Sequence, residues 1–368
     1  MKYYIIAGEA SGDLHGSNLI KELKKLDKSS EFRCWGGDLI LKQTNNLVKH
    51  YKDYDHMGFF EVFVNLKKVV YNLSFCKKDI KKYNPDVIIY VDFPGFNLRI
   101  AKWAKKNKFK NHFYISPQIW AWKRKRINTI RKVIDQMYVI LPFEKEYYSS
   151  VNYNVHYVGH PLLDVIKDPE KSFSTKSKEK IIALLPGSRD QEIKKILPEM
   201  ISIIKNFDDY TFYICAAPSQ KKSDYLKYLQ NVNDQKIKIV ENKTYEVLKK
   251  SSAALVASGT ATLETALLKV PQIVCYKSSW VSIMIGRFLL RNLKYISLVN
   301  LILDKEVVRE LIQEKLNEKN LTSELEMILE GPKRKNMLKS YDKLINVLGN
   351  KGASKETAFK IYNYLDSN

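Results

Sequence analysis

The chain has 368 residues, of which 45% are hydrophobic, and a formal net charge of +22. That length suits two domains of about 150–200 residues each, and the apolar content excludes global disorder. The charge is lopsided, with 28 basic against 15 acidic residues (+13) in positions 1–150. This implies a polyanionic partner (nucleic acid, an anionic membrane surface or a phosphorylated substrate), unless abundant lysine serves only solubility.

Residues 2–6 read as a strand. Gly8-Glu9-Ala10-Ser11-Gly12-Asp13 then turns into a helix that ends near Lys25. The turn matches neither G-x-G-x-x-G nor the P-loop. A tight strand-to-helix corner accounts for Gly8 and Gly12, and the functional alternative is a substrate held close to the backbone. Arg33-Cys34-Trp35 reads as another strand. Asp53-Tyr54-Asp55 has D-x-D spacing that can hold a divalent cation beside a nucleotide sugar. It ends no clear strand, so a solvated loop is expected there and no metal.

Residues 59–83 place Val62, Leu66, Val69, Leu73, Cys76 and Ile80 at helical spacing. Phe59, Phe60, Phe63, Val64 and Val70 widen the apolar face. Lys67, Lys68, Lys77, Lys78, Lys81 and Lys82 rim it. This suits an interfacial helix or an acyl-chain groove, and equally a helix buried on two sides. Asp86 to Val91 reads as a buried strand, with Asp92 at its end and a helix from Asn97 to Lys106. A carboxylate at that position faces a ligand crevice, and partial desolvation raises its pKa toward general-base use. A turn- or helix-capping aspartate is the alternative.

His112 to Ile115 and Gln136 to Leu141 are further strands. Between them, Trp120 and Trp122 adjoin Lys123, Arg124, Lys125 and Arg126. Stacking on nucleic acid, capture of a phosphorylated lipid or anionic headgroups, and a solvated helix start after two core tryptophans all fit that string.

Ile166 to Lys180 is polar and reads as an interdomain linker. A second βα series follows: strand 181–185, helix 191–205, strands 211–215 and 237–240, helix 244–250, strand 253–257, helix 260–269 and strand 272–276. Two of these strands run into glycine corners, Leu185-Pro186-Gly187-Ser188-Arg189 and Ser258-Gly259-Thr260. Each corner opens a helix. Two helix N-termini therefore point at the carboxyl edge of one parallel sheet, where unpaired N–H groups and helix dipoles attract phosphate. Arg189 adds a fork of donors, and Glu264 an acceptor one turn beyond Thr260. Together they suggest a nucleoside diphosphate and its ribose. Residues 280–294 again mix apolar bulk with cations. From Asp304 onward the chain reads as helical.

The expected architecture is α/β: two Rossmann-like, doubly wound parallel-sheet domains facing a central cleft. Their expected bounds are 1–165 and 166–334, with a helical tail at 335–368. Cys34, Cys76, Cys215 and Cys275 form no C-x-x-C and read as reduced core thiols. No signal-peptide core and no run of about 18 apolar residues is present, so any membrane contact is expected to be peripheral.

Nine segments together carry a more specific signal: AGEASGD at 7–13, MGFFEV at 57–62, PDVIIYVDFPGFN at 85–97, SPQIWAWKRKRI at 116–127, LPFEKEYY at 141–148, VGHPLLD at 158–164, LLPGSR at 184–189, ASGTATLE at 257–264 and SLVNLI at 297–302. In that order, nearly end to end, the chain resembles the lipid-A-disaccharide synthase family, inverting glycosyltransferases of the GT-B type. The resemblance implies transfer of 2,3-diacylglucosamine from UDP-2,3-diacylglucosamine to the 6-hydroxyl of 2,3-diacylglucosamine 1-phosphate (lipid X). The β-1,6 disaccharide 1-phosphate and UDP would be the products.

It aligns the family's general base with Asp92, its donor-site arginine with Arg189 and its ribose-binding glutamate with Glu264. Its functional asparagine aligns with Asn300, which nothing else in the sequence selects. Gly8, Glu9, Ser11 and Gly12, with Gly187, Ser188, Ser258, Gly259 and Thr260, complete the expected substrate contacts. Phe60, Phe63, Trp120, Lys123, Arg124, Lys125 and Arg126 are expected to meet the acceptor or the membrane. The resemblance implies no metal and no other cofactor, and places the protein in the cytoplasm at the inner-membrane surface. It implies a monomer or homodimer, with a C-terminal tail that crosses back or is exchanged. Phe93 and Gly95 beside Asp92, and His160-Pro161, depart from the family pattern. Competing readings are another GT-B UDP-N-acetylglucosamine enzyme, such as a transferase or 2-epimerase, and a basic RNA-binding protein.

Overall fold

Strands with both faces covered read as uninterrupted apolar runs, and the first such run, Tyr3 to Ala7, is fully buried. In the computed structural model, which describes residues 1–53, 66–166, 179–229, 235–278 and 294–367, the chain divides into two units. One is Met1–Asp164 with Asn350–Asn368, and the other is Val165–Gly349.

The first unit runs β1 (Lys2–Ala7), α1 (Ala10–Leu26), β2 (Glu31–Gly36), α2 (Asp38–Thr44), β3 (Leu47–His50), α3 (Leu66–Tyr83), β4 (Val87–Val91), α4 (Pro94–Lys106), β5 (Asn111–Tyr114), α5 (Ile127–Val133), β6 (Gln136–Val139), α6 (Pro142–Ser150) and β7 (His156–Tyr157). A short helix, α7 (Leu162–Val165), closes this stretch. The strands form one parallel sheet ordered β3-β2-β1-β4-β5-β6-β7. Alternate residues feed two cores: Tyr4, Ile6, Ile88 and Tyr90 on one face, and Tyr3, Ile5, Ile89 and Val91 on the other. The order reverses between β1 and β4, and ligands of such sheets bind outside the carboxyl ends at that switch.

The second unit runs β8 (Lys180–Leu185), α8 (Asp190–Ser202), β9 (Tyr210–Ala216), α9 (Lys222–Leu226), β10 (Ile237–Glu241), α10 (Thr244–Lys250), β11 (Ser251–Ala257), α11 (Thr260–Leu267), β12 (Gln272–Tyr276), α12 (Leu298–Leu303), β13 (Arg309–Ile312), α13 (Glu318–Leu329) and α14 (Gly331–Leu348). Its parallel sheet, β10-β9-β8-β11-β12-β13, repeats the same winding, with the switch between β8 and β11.

Three sequence expectations need correction. Residues after Asp304 are not all helical, because Arg309–Ile312 pairs with β12 from Ile273 to Tyr276 as an edge strand. The sequence also passes over α2 and the half-buried edge strand β3. Finally, the expected tail at 335–368 begins too early. Met337 and Tyr341 are buried in the second unit, where the Gln272 N–H meets Met337 Sδ at 3.4 Å and Gln272 Nε2 donates to the Tyr341 hydroxyl at 3.3 Å. The breaks fall instead after Asp164 and after Gly349.

The last helix, α15 (Ala353–Asp366), belongs to the first unit. Its Ala358, Ile361 and Leu365 share a core with Leu19, Ile20 and Leu23 of α1. Asp164, the last residue of VGHPLLD, clasps its start. The carboxylate accepts the N–H of Gly352 at 2.6 Å and of Ser354 at 2.9 Å. Asp164 thus caps a helix almost two hundred residues away in sequence. Asp164→Ala is expected to cost about 1–2 kcal/mol, the usual loss on removing a cap. Limited proteolysis should then release the 350–368 segment sooner than in the wild type. Equal release rates would show that the clasp is redundant.

Candidate active site

In the first unit, the corners after β1 and β4 lie side by side. Asp92 directly follows β4 in the left-handed region (φ +48°), and Phe93 comes next in the same conformation (φ +52°). Two consecutive non-glycine residues there store strain, which surrounding contacts must hold. The Asp92 N–H donates to the Tyr114 carbonyl at 3.0 Å. Buried Asn97 donates to the Asp92 carbonyl at 2.6 Å. The Phe93 ring lies over Gly8, where an added Cβ would fall 2.2 Å from it, so only glycine allows this approach. Gly12 faces Ala7 and the Val91 carbonyl in the first turn of α1, and Glu9 and Ser11 are half-buried beside it.

The Asp92 carboxyl keeps partial contact with solvent but is otherwise ringed by protein. Burial, reinforced by the charges of Glu9 and Glu144, pushes its pKa up to about 7, against the opposing N–H of Phe93. Such a group is poised to take a proton near neutrality. Asp13 plays a different part. Its buried carboxylate accepts the N–H groups of Gly37, Leu39 and Ile40 at 2.7–3.0 Å and so caps α2.

The aromatic-basic segment divides by role. Glu144 on α6 is buried, which pushes its pKa up. It accepts from Ser116 Oγ (2.7 Å), Trp120 Nε1 (3.2 Å) and the N–H groups of Ile140 and Leu141. Trp120, further packed edge-on against Phe143, therefore fastens the loop to α6. Trp122 instead carries cations: Lys123 Nζ lies 4.4 Å and the Arg126 guanidinium carbon 5.3 Å from its ring centre. Burial and then the like charge of Arg99 lower the Arg126 pKa, and burial followed by Arg126 and Arg99 lowers that of Lys123. Arg124 and Lys125 are exposed in the same turn.

In the second unit, β8 and β11 are hydrogen-bonded neighbours in register from Ala183↔Ala254 to Leu185↔Val256. The two glycine corners therefore emerge next to each other. Gly187 has φ +116°, and a Cβ there would also fall 2.6 Å from Glu192 Oε2. Ser188 and Arg189 are exposed at the start of α8. In this arrangement Glu192 occupies both: its carboxylate accepts the Ser188 N–H at 3.1 Å and lies 3.6 Å from Arg189 Nη1. Gly259 and Thr260 are exposed at the second corner. One turn on, Glu264 shares a hydrogen bond with Tyr245, yet burial still pushes its pKa up to about 7.

Asn300 lies elsewhere in character. It is fully buried, and its side-chain amide is spent on Val307, Val308 and Glu310. The geometry thus brings together Asp92 with the Gly8 corner, and separately Arg189, Glu264 and the two glycine corners. Glu192, Tyr245, Glu144 and Glu310 were not read from the sequence. Of these, only Glu192, three residues after Arg189, has a spacing that signals contact. Phe60, Phe63, Tyr54, Asp55 and residues 280–293 lie outside the described residues. Among the described residues, no group of three His, Cys, Asp or Glu could hold a metal ion, and no helix is long and apolar enough to cross a membrane.

A family model described as Lipid-A-disaccharide synthetase matches residues 3–361. The chain is 36% identical over 365 residues to a lipid-A-disaccharide synthase of Syntrophus aciditrophicus (strain SB), covering 96% of this chain and 95% of the relative. It is 32% identical over 372 residues to one of Myxococcus xanthus (strain DK1622), covering 98% and 97%. Among solved structures, the fold is similar to a UDP-GlcNAc 2-epimerase from Neisseria meningitidis bound to UDP-GlcNAc (TM-score 0.67, 14% identity, all of both chains). It is also similar to an S. aureus MnaA–UDP co-structure (TM-score 0.69, 13% identity, 99% of this chain and 97% of the other). Two Rossmann-like units with paired corners at their switch points, together with relatives matching over nearly the whole length, lead to one conclusion: the chain belongs to the lipid-A-disaccharide synthase family of glycosyltransferases, built on the GT-B fold.

Proposed function

We propose that this protein transfers 2,3-diacylglucosamine from UDP-2,3-diacylglucosamine to the 6-hydroxyl of 2,3-diacylglucosamine 1-phosphate. The observation that carries the reading is Asp92, a carboxyl with pKa near 7 held in a strained turn at the carboxyl end of β4. Asp92 takes the proton of the acceptor hydroxyl. The freed oxygen bonds to the donor's anomeric carbon as the bond to the diphosphate breaks, and that bonding pair leaves with UDP. One displacement inverts the carbon and needs no enzyme nucleophile. The charge gathering on the diphosphate meets Arg189 and the N–H groups at the Gly187 and Gly259 corners, without a metal. Glu264 accepts from the ribose.

Lys123 and Arg126 on Trp122 suit the acceptor's phosphate or an anionic bilayer. The exposed Val70 (58%) and Tyr71 (63%) of α3, amid its lysines, suit peripheral attachment at the cytoplasmic face of the inner membrane. The test is UDP release from the diacyl donor with and without the acceptor, across a detergent series. Release that depends on acceptor supports the reading. Release without it would mean hydrolysis of the donor, and conversion of unacylated UDP-N-acetylglucosamine to its C2 epimer would favour the activity of the 2-epimerases that share the fold.

Glu192 gives a sharper expectation. Its carboxylate engages the Ser188 N–H and the Arg189 fork, the groups assigned to the diphosphate. An incoming diphosphate must displace it. Glu192→Gln removes the competing charge and is expected to tighten UDP binding by about 3–10-fold, a gain of about 1 kcal/mol. Calorimetric titration with UDP reads this directly, and weaker binding would mean that Glu192 instead holds Arg189 in its working position.

A further inference from the structure

Among the groups the proposed mechanism leaves unused, Glu310 on the edge strand β13 gathers three donors from one neighbouring segment. Its carboxylate accepts the Ile296 N–H at 3.0 Å, the Ser297 N–H at 2.9 Å and Asn300 Nδ2 at 2.9 Å. One side chain thus ties two backbone N–H groups and an amide at the entry to α12, where Ser297 Oγ also accepts the Asn300 N–H at 3.3 Å. Asn300 completes the knot. Its Nδ2 also donates to the Val308 carbonyl at 2.8 Å, and its Oδ1 accepts the N–H groups of Val307 (2.8 Å) and Val308 (3.0 Å). An asparagine amide has two donor hydrogens and two acceptor positions, and all four are filled. Asn300 has nothing left to offer a ligand.

The knot reaches the glycine corner through one further bond. Ser258 Oγ donates to the Ile296 carbonyl at 3.1 Å, so the peptide units flanking Ile296 are held from both sides. On its helix side the corner is held by Thr262, whose hydroxyl and N–H donate to the Gly259 carbonyl at 2.8 and 3.2 Å, while among the described residues nothing lies within 4 Å of where a Cβ on Gly259 would stand. The Ser258 N–H is tied to the Cys275 carbonyl at 3.1 Å, which holds the strand end but not the side of the turn.

We propose that Glu310 is a positioning residue for the second glycine corner. It acts through Ile296 and Ser258, with Asn300 as its partner, and touches no reacting atom. The inference rests on the proposed role of that corner in holding the donor's diphosphate. Misplacing a group at a site by about 1 Å can cost about 10²-fold, even when the change lies far from the chemistry. The SLVNLI segment is on this account a brace and not a ligand contact.

The test uses the full chain with Glu310→Gln, Glu310→Asp, Ser258→Ala and the Glu310→Gln/Ser258→Ala pair. UDP affinity, donor KM, kcat and thermal midpoint are measured for each. Glu310→Gln is expected to weaken UDP binding and raise donor KM about tenfold, with a smaller change in kcat. The double variant should be no worse than the larger single effect, because both act along one path. Glu310→Asp keeps the charge but draws it back by one methylene, and should show the same split more mildly. It stands in if Glu310→Gln does not fold. A lowered midpoint with unchanged UDP affinity and KM would reduce Glu310 to a purely structural residue, and effects that multiply in the double variant would break the proposed path. If the wild type itself binds no UDP, the proposed function fails. If the wild type binds UDP and the variants match it, only this inference fails.

Discussion

Replacing Asp92 with Asn is expected to cut kcat by about 10²–10⁴-fold while leaving UDP affinity close to that of the wild type. The amide matches the carboxylate in size and can keep the turn, whose backbone bonds to Tyr114 and Asn97 do not involve the side chain. What it cannot do is accept a proton. The pH profile supplies a second reading. Burial lifts the Asp92 pKa to about 7, so the carboxylate form that acts as base is depleted below that pH and restored above it. In the wild type kcat should therefore fall as pH drops through 7, and that limb should be missing from the residual activity of Asp92→Asn. Near-native turnover in the variant would remove Asp92 from the mechanism.

Arg189→Ala is expected to lower kcat/KM by about 10²–10³-fold, comparable to losing one donor from a charge-stabilising site. Arg189 is 69% exposed and lies beside only one carboxylate among the described residues, at 3.6 Å, so folding places little demand on it. Its removal should leave the thermal midpoint nearly unchanged. Lysine is expected to restore only part of the loss, because one ammonium cannot reproduce the planar fork that grips two phosphate oxygens. Steady-state kinetics of both variants, run with and without a chelator, would check this. A chelator that abolishes wild-type activity would instead assign the leaving-group charge to a metal.

The sequence was most readable where burial is uniform. β1, β4, β8 and β11 are covered on both faces, so each appears as an unbroken apolar run followed by a turn. Those four strands flank the two switch points, and Asp92, Arg189 and Glu264 are legible in the sequence because each stands shortly after one of these runs. The edge strands β3 and β13 were passed over because a strand at the rim keeps polar residues such as Lys49, Arg309 and Glu310. Asp13, Asp164 and Glu144 stand in prominent motifs, yet each spends its carboxylate on backbone or indole N–H groups of another segment. Nothing local marks a cap whose helix starts far along the chain. The same holds for Asn300, which the family resemblance selects and whose partners lie seven to ten residues further on.

The Asp164 clasp sets an order of assembly. Residues 350–368 leave the ribosome after every residue of the second unit, yet they complete the hydrophobic layer beside α1. Translation proceeds at about 5–20 residues per second, so for many seconds the nascent first unit has its α1 flank uncovered. A stop codon shortly after Gly349 would spare the second unit and damage the one made first. Premature termination would therefore be felt at the opposite end of the polypeptide, in the half that carries Asp92.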